Sequence, residues 1–129
     1  MKLAKQGKIT PNGVVLETHE NSTVVFLTER GFDVELIKPV RTKGAKNADI
    51  ILAGIVWEIK GLFGSSKRSI ADHLYKASRQ SPNIILDMRH FGLSKSFSIK
   101  EISKQFNIRR KIKRIKAIFQ DGETIDFMR

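Results

Sequence analysis

Two carboxylates and a lysine stand at a spacing that brings them onto one face of a β-hairpin. Asp49 precedes a short apolar run, a loop at positions 53–54 that contains glycine interrupts it, and a second apolar run carries Glu58 and Lys60. Two β-type runs joined by such a two-residue loop predict a hairpin. In the register that this loop sets, Asp49 opposes Glu58, with Cβ atoms roughly 5 Å apart. Lys60 lies two residues further along the strand and points the same way.

These three side chains suit the hydrolysis of a phosphodiester bond. Two carboxylates placed together repel each other unless a cation lies between them. Carboxylate oxygens and water are the ligands that Mg²⁺ and Mn²⁺ prefer. A lysine beside such an ion can orient or deprotonate the attacking water, or stabilise charge that develops on the phosphate. The alternative interpretation is a charged rim at the strand ends, in which Lys60 neutralises Glu58.

The charge of the chain favours a polyanionic partner. Its 129 residues include 24 lysines and arginines against 13 aspartates and glutamates, which gives a net charge of +11. Such an excess favours nucleic acid and predicts binding that weakens as salt is added. A membrane surface and an acidic protein are the other partners that this charge suits. The absence of cysteine excludes disulfides and thiolate metal sites.

Length and hydropathy predict one domain without a membrane span. The chain has 129 residues, of which 40% are hydrophobic, enough for one core. No apolar stretch approaches the roughly 18 residues of a membrane helix. No apolar segment follows Met1–Lys5, so we expect no signal peptide. We divide the chain into a basic lead-in segment, 1–13, and a single domain, 14–129.

The apolar pattern places the hairpin inside a mixed α/β fold. Three segments have apolar residues at helical spacing, namely 14–30, 69–81 and 98–106. Six β-type runs accompany them, namely 32–37, 49–52, 55–60, 83–88, 115–119 and 124–128. Connecting loops are expected at 40–47, 61–66 and 89–97. The order α-β-β-β-α-β-α-β-β predicts an α/β (α+β) architecture, in which a mixed sheet with a central hairpin is flanked by helices.

A series of short motifs follows this order along residues 14–128. They are Glu20 ahead of Gly31-Phe32-Asp33-Val34, then Ala48-Asp49, Trp57-Glu58-Ile59-Lys60, Gly64-Ser65-Ser66, Ile70 to Ala77 leading to Gln80-Ser81, and Asn83-Ile84-Ile85-Leu86-Asp87. Together they resemble the PD-(D/E)XK nuclease superfamily, whose core is α-β-β-β-α-β with acidic residues on the central hairpin. More closely, they resemble the C-terminal nuclease domains of contact-dependent growth-inhibition toxins and related polymorphic toxins. Ala48 replaces the proline of the superfamily name, which is not a ligand.

The resemblance implies a role for each candidate residue. Asp49 and Glu58 would hold Mg²⁺ or Mn²⁺. Lys60 would position or activate the nucleophile and stabilise developing charge. Glu20 would help to hold the metal or its water, and Gln80 would assist from the second helix. No organic cofactor is expected.

Two points stay open on the sequence alone. Glu17 is an alternative to Glu20 as the carboxylate of the first helix. For an RNA substrate, the nucleophile is either water or the neighbouring 2′-hydroxyl, with Lys60 or His73 as acid and base in the second case. The second chemistry needs little or no metal.

The resemblance also implies a biological setting. Many of these toxin domains cleave tRNA, and each is neutralised by a cognate immunity protein, which the positive charge here predicts to be acidic. We expect a secreted effector domain of a larger carrier, acting in the target-cell cytoplasm on structured RNA. A DNA endonuclease of the same fold and a non-catalytic basic nucleic-acid-binding module are the alternatives.

Basic residues that surround the carboxylates are expected to contact phosphate groups. They are Lys43, Lys46, Lys67, Arg68, His73, Lys76, Arg109, Arg110, Lys113, Arg114 and Lys116. The chain has one Trp and one Tyr, and we assign Trp57 and most Phe residues to the core. We therefore expect recognition mainly by backbone geometry rather than by a groove that stacks single-stranded bases.

Overall fold

The computed structural model of the chain describes residues 6–129. Residues 1–5 lie outside the described residues. The predicted lead-in segment begins with these residues, and the signal-peptide prediction also depends on them. The elements are β1 (Ile9–Thr10), α1 (Thr18–Glu29), β2 (Val34–Leu36), β3 (Ile50–Leu52), β4 (Ile55–Gly64), α2 (Ser69–Ser78), β5 (Asn83–Phe91), α3 (Lys95–Ile108), β6 (Arg114–Ile118) and β7 (Thr124–Met128). This confirms the predicted mixed α/β fold and adds the short strand β1.

The strands form one seven-stranded sheet in the order β1-β2-β3-β4-β5-β6-β7. β2, β3 and β4 pair in antiparallel fashion, as do β6 and β7. The pairs β1–β2, β4–β5 and β5–β6 are parallel. Parallel neighbours require a crossover, and α1, α2 and α3 supply these three connections. No helix among residues 6–129 has the length and apolar character to cross a membrane.

The helices divide the core between the two faces of the sheet. On one face, α1 packs Val24 and Leu27 against strand residues that include Trp57 and Ile59. On the other face, α2 and α3 cover a second cluster, to which Leu62 of β4 belongs. Because side chains alternate along a strand, the even-numbered positions 58 and 60 of β4 project toward the α2 face. Trp57 is core, as predicted.

The predicted hairpin register is confirmed. Ile50 pairs with Trp57 and Leu52 with Ile55, and the N–H of Asp49 donates to the carbonyl oxygen of Trp57 at 2.9 Å. The two loop residues, 53 and 54, have φ of 53° and 77°. Positive φ at both positions is the conformation that matches the twist of a two-residue hairpin. The loop therefore aligns positions 49 and 58.

The predicted loop 61–66 is largely strand, and the predicted loop 89–97 is divided among the end of β5, residues 92–94 and the start of α3. β4 runs to Gly64 and β5 runs to Phe91, because the two strands pair along most of their length, with a register shift between Gly61 and Phe63. Ladder hydrogen bonds to a neighbouring strand override the local turn signal of the glycines. α3 begins at Lys95, since the Ser94 hydroxyl accepts from the N–H of Phe97 at 3.2 Å.

The other two helices are shorter than predicted. α1 begins at Thr18 because Glu17 is extended, with φ −65° and ψ 159°. α2 ends at Ser78, which places Gln80 in the turn that follows the helix.

Candidate active site

Asp49 lies at the centre of a group of three carboxylates. It is within hydrogen-bond reach of Glu20 from α1 and of Glu58 from β4. Its Oδ2 accepts from the N–H of Ile59 at 2.8 Å. Lys60 Nζ lies 3.5 Å from Glu58 Oε2. The hairpin and the first turns of α1 thus assemble what we call the carboxylate cluster, Glu20, Asp49 and Glu58, with an ammonium beside it.

Burial and mutual repulsion raise the pKa values in this cluster. Burial, then the negative charge of Asp49, raises the pKa of Glu20 to about 7. Burial and the charge of Glu58 raise the pKa of Asp49 to about 6, against the N–H of Ile59, which lowers it. Burial also raises the pKa of Glu58, and Lys60 opposes this change. The cluster therefore favours a bound proton or another cation near neutral pH.

The chemistry of the cluster suits a hard divalent cation, with Asp49 next to each of the other two carboxylates. Glu58 is only 6% exposed, and its Oε1 has no hydrogen-bond partner among the described residues. A buried carboxylate oxygen left unpaired costs free energy unless a ligand satisfies it. All the donors are carboxylate oxygens, which suit Mg²⁺ or Mn²⁺.

The structure shows which of the two candidate glutamates at the start of α1 belongs to the carboxylate cluster. Glu20 is the one beside Asp49. The side chain of Glu17 is 78% exposed and lies 3.8 Å from His19 Nδ1. Glu17, His19 and Glu20 do bring ligand atoms within 4.8 Å of one another, but two of the three are exposed at the helix end.

An open cleft of about 570 Å³ lies against the carboxylate cluster on the α2 side. Its lining residues are Gly44, Ala45, Asn47, Glu58, Lys60, Lys76, Arg79 and Gln80. Lys76 and Gln80 thus share the cleft with Glu58 and Lys60. Arg79 was missed from sequence, although its place three residues after Lys76 was a usable signal. Asn47 carried no signal beyond its position next to Ala48-Asp49.

Gln80 ties a loop to this cleft. Its Oε1 accepts from the N–H of Asn47 at 2.7 Å, and Asn47 Oδ1 accepts from the N–H of Val40 at 2.8 Å. Both contacts restrain the predicted 40–47 loop where it borders the cleft. The geometry gives Gln80 a positioning contact with the loop that leads into Asp49.

His73 lies apart from these residues. Its ring is half-buried, and Nδ1 donates to the carbonyl oxygen of Ser69 at 2.7 Å, because a carbonyl can only accept. His73 is not among the residues that line the cleft. The structure does not bring it to the carboxylate cluster, contrary to its proposed part as acid or base.

Most of the predicted phosphate-binding residues are exposed, but Lys116 is not. Lys116 is 7% exposed, its Nζ donates to Asp126 Oδ1 at 2.8 Å, and it lies 5.0 Å from the Phe32 ring. The prediction for Lys116 is therefore wrong, because β6 begins within the basic run and turns this residue inward. The exposed members are Lys43, Lys46, Lys67, Arg68, Lys76, Arg110 and Lys113.

Two further arginines are half-buried and held by neighbours. Arg109 Nε donates to Gln105 Oε1 at 2.9 Å, and its guanidinium lies 5.7 Å from the Tyr75 ring. Arg114 Nη1 donates to Asn83 Oδ1 at 3.1 Å. These contacts orient the two guanidinium groups and leave them partly open to solvent.

Residues 46–124 match the family described as the contact-dependent growth inhibition CdiA C-terminal domain, and they make up more than half of the 129 residues. The chain belongs to this family. CdiA C-terminal domains are toxin effectors of a larger carrier protein and are delivered to target cells.

A solved structure has the same fold. It is the CdiA-CT/CdiI toxin and immunity complex from Burkholderia pseudomallei, which aligns with a TM-score of 0.71 over 95% of this chain and 100% of that chain. The sequence identity is 20%, so the likeness concerns the fold. No curated protein matches the chain significantly.

Proposed function

We propose that this toxin domain is a metal-dependent endoribonuclease of the PD-(D/E)XK type that cleaves structured RNA, tRNA foremost. One observation carries the proposal: the half-buried Glu20 and the buried Glu58 both lie beside the half-buried Asp49, with Lys60 next to Glu58 at the edge of a basic cleft. A charged rim of solvated strand ends would not explain a nearly buried glutamate with an unpaired oxygen. Membership of the toxin family supports a damaging activity.

Each residue of the proposed active site would have a separate role in hydrolysis. Glu20, Asp49 and Glu58 would hold Mg²⁺ or Mn²⁺, whose positive charge polarises a phosphate and activates water. Lys60 would donate to the attacked phosphate and stabilise the charge that develops there. Lys76 and Arg79 would bind flanking phosphates in the cleft. Gln80 would act through the loop at Asn47.

We infer that water, rather than the 2′-hydroxyl, is the nucleophile. The carboxylate cluster suits an ion that activates water, and His73 lies away from the cleft. The water oxygen bonds to phosphorus, the bond from phosphorus to the 3′-oxygen breaks, and the leaving oxygen gains a proton. The products carry a 5′-phosphate and a 3′-hydroxyl. A 2′,3′-cyclic phosphate at the cut would contradict this inference.

The test is incubation with total tRNA and with plasmid DNA, in Mg²⁺, in Mn²⁺ and in EDTA. We expect a discrete tRNA fragment with the metal ions, lost in EDTA and reduced at least about 100-fold in Glu58→Gln. Glu123→Gln, the same substitution at an exposed position between β6 and β7, is the matched control and should cut normally. Rapid cutting of DNA with intact tRNA would assign a DNase. RNA that is bound but never cut would assign a binding module.

We also propose a cognate immunity protein with an acidic surface. The Burkholderia structure contains a toxin with its immunity protein, and this chain carries +11. Such a partner would cover the basic cleft and protect the cytoplasm of the cell that makes the toxin. Expression of the domain alone should arrest growth, and co-expression of the partner should restore it.

A further inference from the structure

A second cavity lies on the opposite side of β4 from the cleft. It has a volume of about 380 Å³ and is bounded by side chains from α1, β4 and β5. Its lining residues are Thr18, His19, Ser22, Gly61, Phe63, Asp87, Arg89 and His90. The proposed catalytic residues do not line it, and we call it the aromatic pocket.

Three rings form one wall of the aromatic pocket. Phe63 and His90 are stacked, with centroids 5.9 Å apart and an interplanar angle of 6°. His19 meets Phe63 edge-on at 6.3 Å and 89°. Phe63 is 53% exposed, so part of the ring is open to solvent. A planar ligand can stack on such a surface.

Polar side chains also line the pocket and are held by hydrogen bonds. Arg89 Nε and Nη2 donate to the two oxygens of Asp87 at 2.9 and 2.7 Å, and Nη2 also donates to Ser22 Oγ at 3.1 Å. The Thr23 hydroxyl donates to Asp87 Oδ2 at 2.6 Å. Asp87 is 7% exposed. This network holds the guanidinium plane in one orientation at the rim of the pocket.

Gly61 forms the floor of the pocket. A Cβ at this position would lie 3.2 Å from Phe63 Cε2 and 3.5 Å from His19 Cδ2. A larger side chain would crowd these two rings. Glycine at position 61 therefore leaves the Phe63 and His19 rings undisturbed at the pocket.

The pocket adjoins the proposed catalytic residues through two pairs of chain neighbours. His19 precedes Glu20, and Gly61 follows Lys60. Consecutive Cα atoms are about 3.8 Å apart, and alternate strand residues project to opposite faces. β3 pairs with residues 55–57 of β4 only, so the segment of β4 that carries Lys60 and Gly61 has no strand partner on that side. A nucleotide next to the phosphate at Lys60 can therefore reach the pocket around this side of β4.

We propose that the aromatic pocket binds one unpaired nucleobase of the substrate RNA, adjacent to the scissile phosphate. The base would stack on Phe63 and His90, and Arg89 would lie at its edge. Proteins recognise unpaired RNA bases by stacking on aromatic rings and arginine planes. The proposal rests on the proposed RNA substrate, and it adds a stacking contact to the expected recognition, which was mainly by backbone geometry. It selects a cut beside a loop or bulge.

The test uses a hairpin RNA with the fluorescent base 2-aminopurine in its loop, bound by the Glu58→Gln protein so that no cutting occurs. We expect stacking to quench the fluorescence on binding. Adding Phe63→Ala should abolish the quenching and weaken binding about 10-fold. Adding Met128→Ala, which shortens a side chain that is 68% exposed on β7, should change neither. Unchanged fluorescence from RNA that is fully bound would overturn the proposal.

Cleavage separates the two proposals. With a wild-type protein that cuts tRNA, Phe63→Ala and His90→Ala should each slow cutting about 10-fold, and Gly61→Ala should do so by crowding the rings. If these three variants cut like the wild type, the pocket proposal falls and the nuclease proposal stands. If the wild type cuts no RNA, both fall.

Discussion

Asp49 is the residue on which the other groups of the proposed active site depend. It contacts Glu20 and Glu58 through its carboxylate and Ile59 through a backbone N–H. Glu20 and Glu58 each lie next to Asp49, so a change at Asp49 alters the energy of the other two.

Glu20→Gln should stabilise the metal-free protein at about pH 8. The pKa of Glu20 is raised from 4.5 to about 7 on folding, so the folded state holds this proton more tightly than the unfolded state. The free energy of unfolding therefore falls as pH rises through that window, and it stays lower above it. Glutamine removes the cost, which we put at roughly 1 kcal/mol after solvent screening, or about 4 °C in Tm.

Thermal unfolding in EDTA, at about pH 4 and about pH 8, measures this effect. The gain of Glu20→Gln over wild type should be present at the higher pH and nearly vanish at the lower. Glu29→Gln, an exposed position on the same helix, should show no such pH dependence. A Tm below that of the wild type at the higher pH would contradict the assignment.

Asp49→Ala and Glu58→Gln should each reduce cutting at least about 100-fold, and the double variant should resemble either single one. Members of one catalytic unit are not additive, because each is useless without the others. Single-turnover cleavage of tRNA measures the rates, and RNA binding in EDTA checks that the surface is intact. Losses that multiply in the double variant would mean that the two residues act separately.

At the scale of elements, a feature could be predicted from the sequence where its contacts join residues that are close in the chain. The β3–β4 hairpin was predictable to the residue because a two-residue loop sets the register of its strands. The extension of β4 to Gly64 was not predictable, because its hydrogen bonds come from β5, where Phe63 pairs with His90 far along the chain. The aromatic pocket was unpredictable for the same reason: His19, Phe63 and His90 come from three elements.

In the basic run at 109–116, the exposed residues should bind RNA, and the buried Lys116 should not. Arg110→Glu with Lys113→Glu should weaken RNA binding and reduce the salt slope by about 2, because two phosphate contacts are lost. Lys116→Met should leave RNA binding unchanged, since the ammonium faces Asp126. Anisotropy titrations of labelled tRNA at several salt concentrations measure both. Equal losses in the two variants would refute this difference.

At the scale of the whole molecule, the charge of +11 governs encounters with partners. An acidic immunity protein should associate fast at low salt, and the association rate should fall about 10-fold or more as salt approaches physiological concentration. The dissociation rate should change little, because salt screens the long-range approach more than close contacts. Stopped-flow mixing of the pair measures both rates. An association rate that is independent of salt would contradict electrostatic steering.

The order of strands in the sheet repeats their order along the chain. Among the described strands, none is inserted between two strands that come earlier in the chain. Each strand therefore pairs with the edge formed by the strand before it. The chain also has no cysteine, and hence no covalent link to break or remake. A toxin domain that is delivered into another cell can therefore be unravelled strand by strand from one end. On arrival it can be rebuilt in the order in which it emerges.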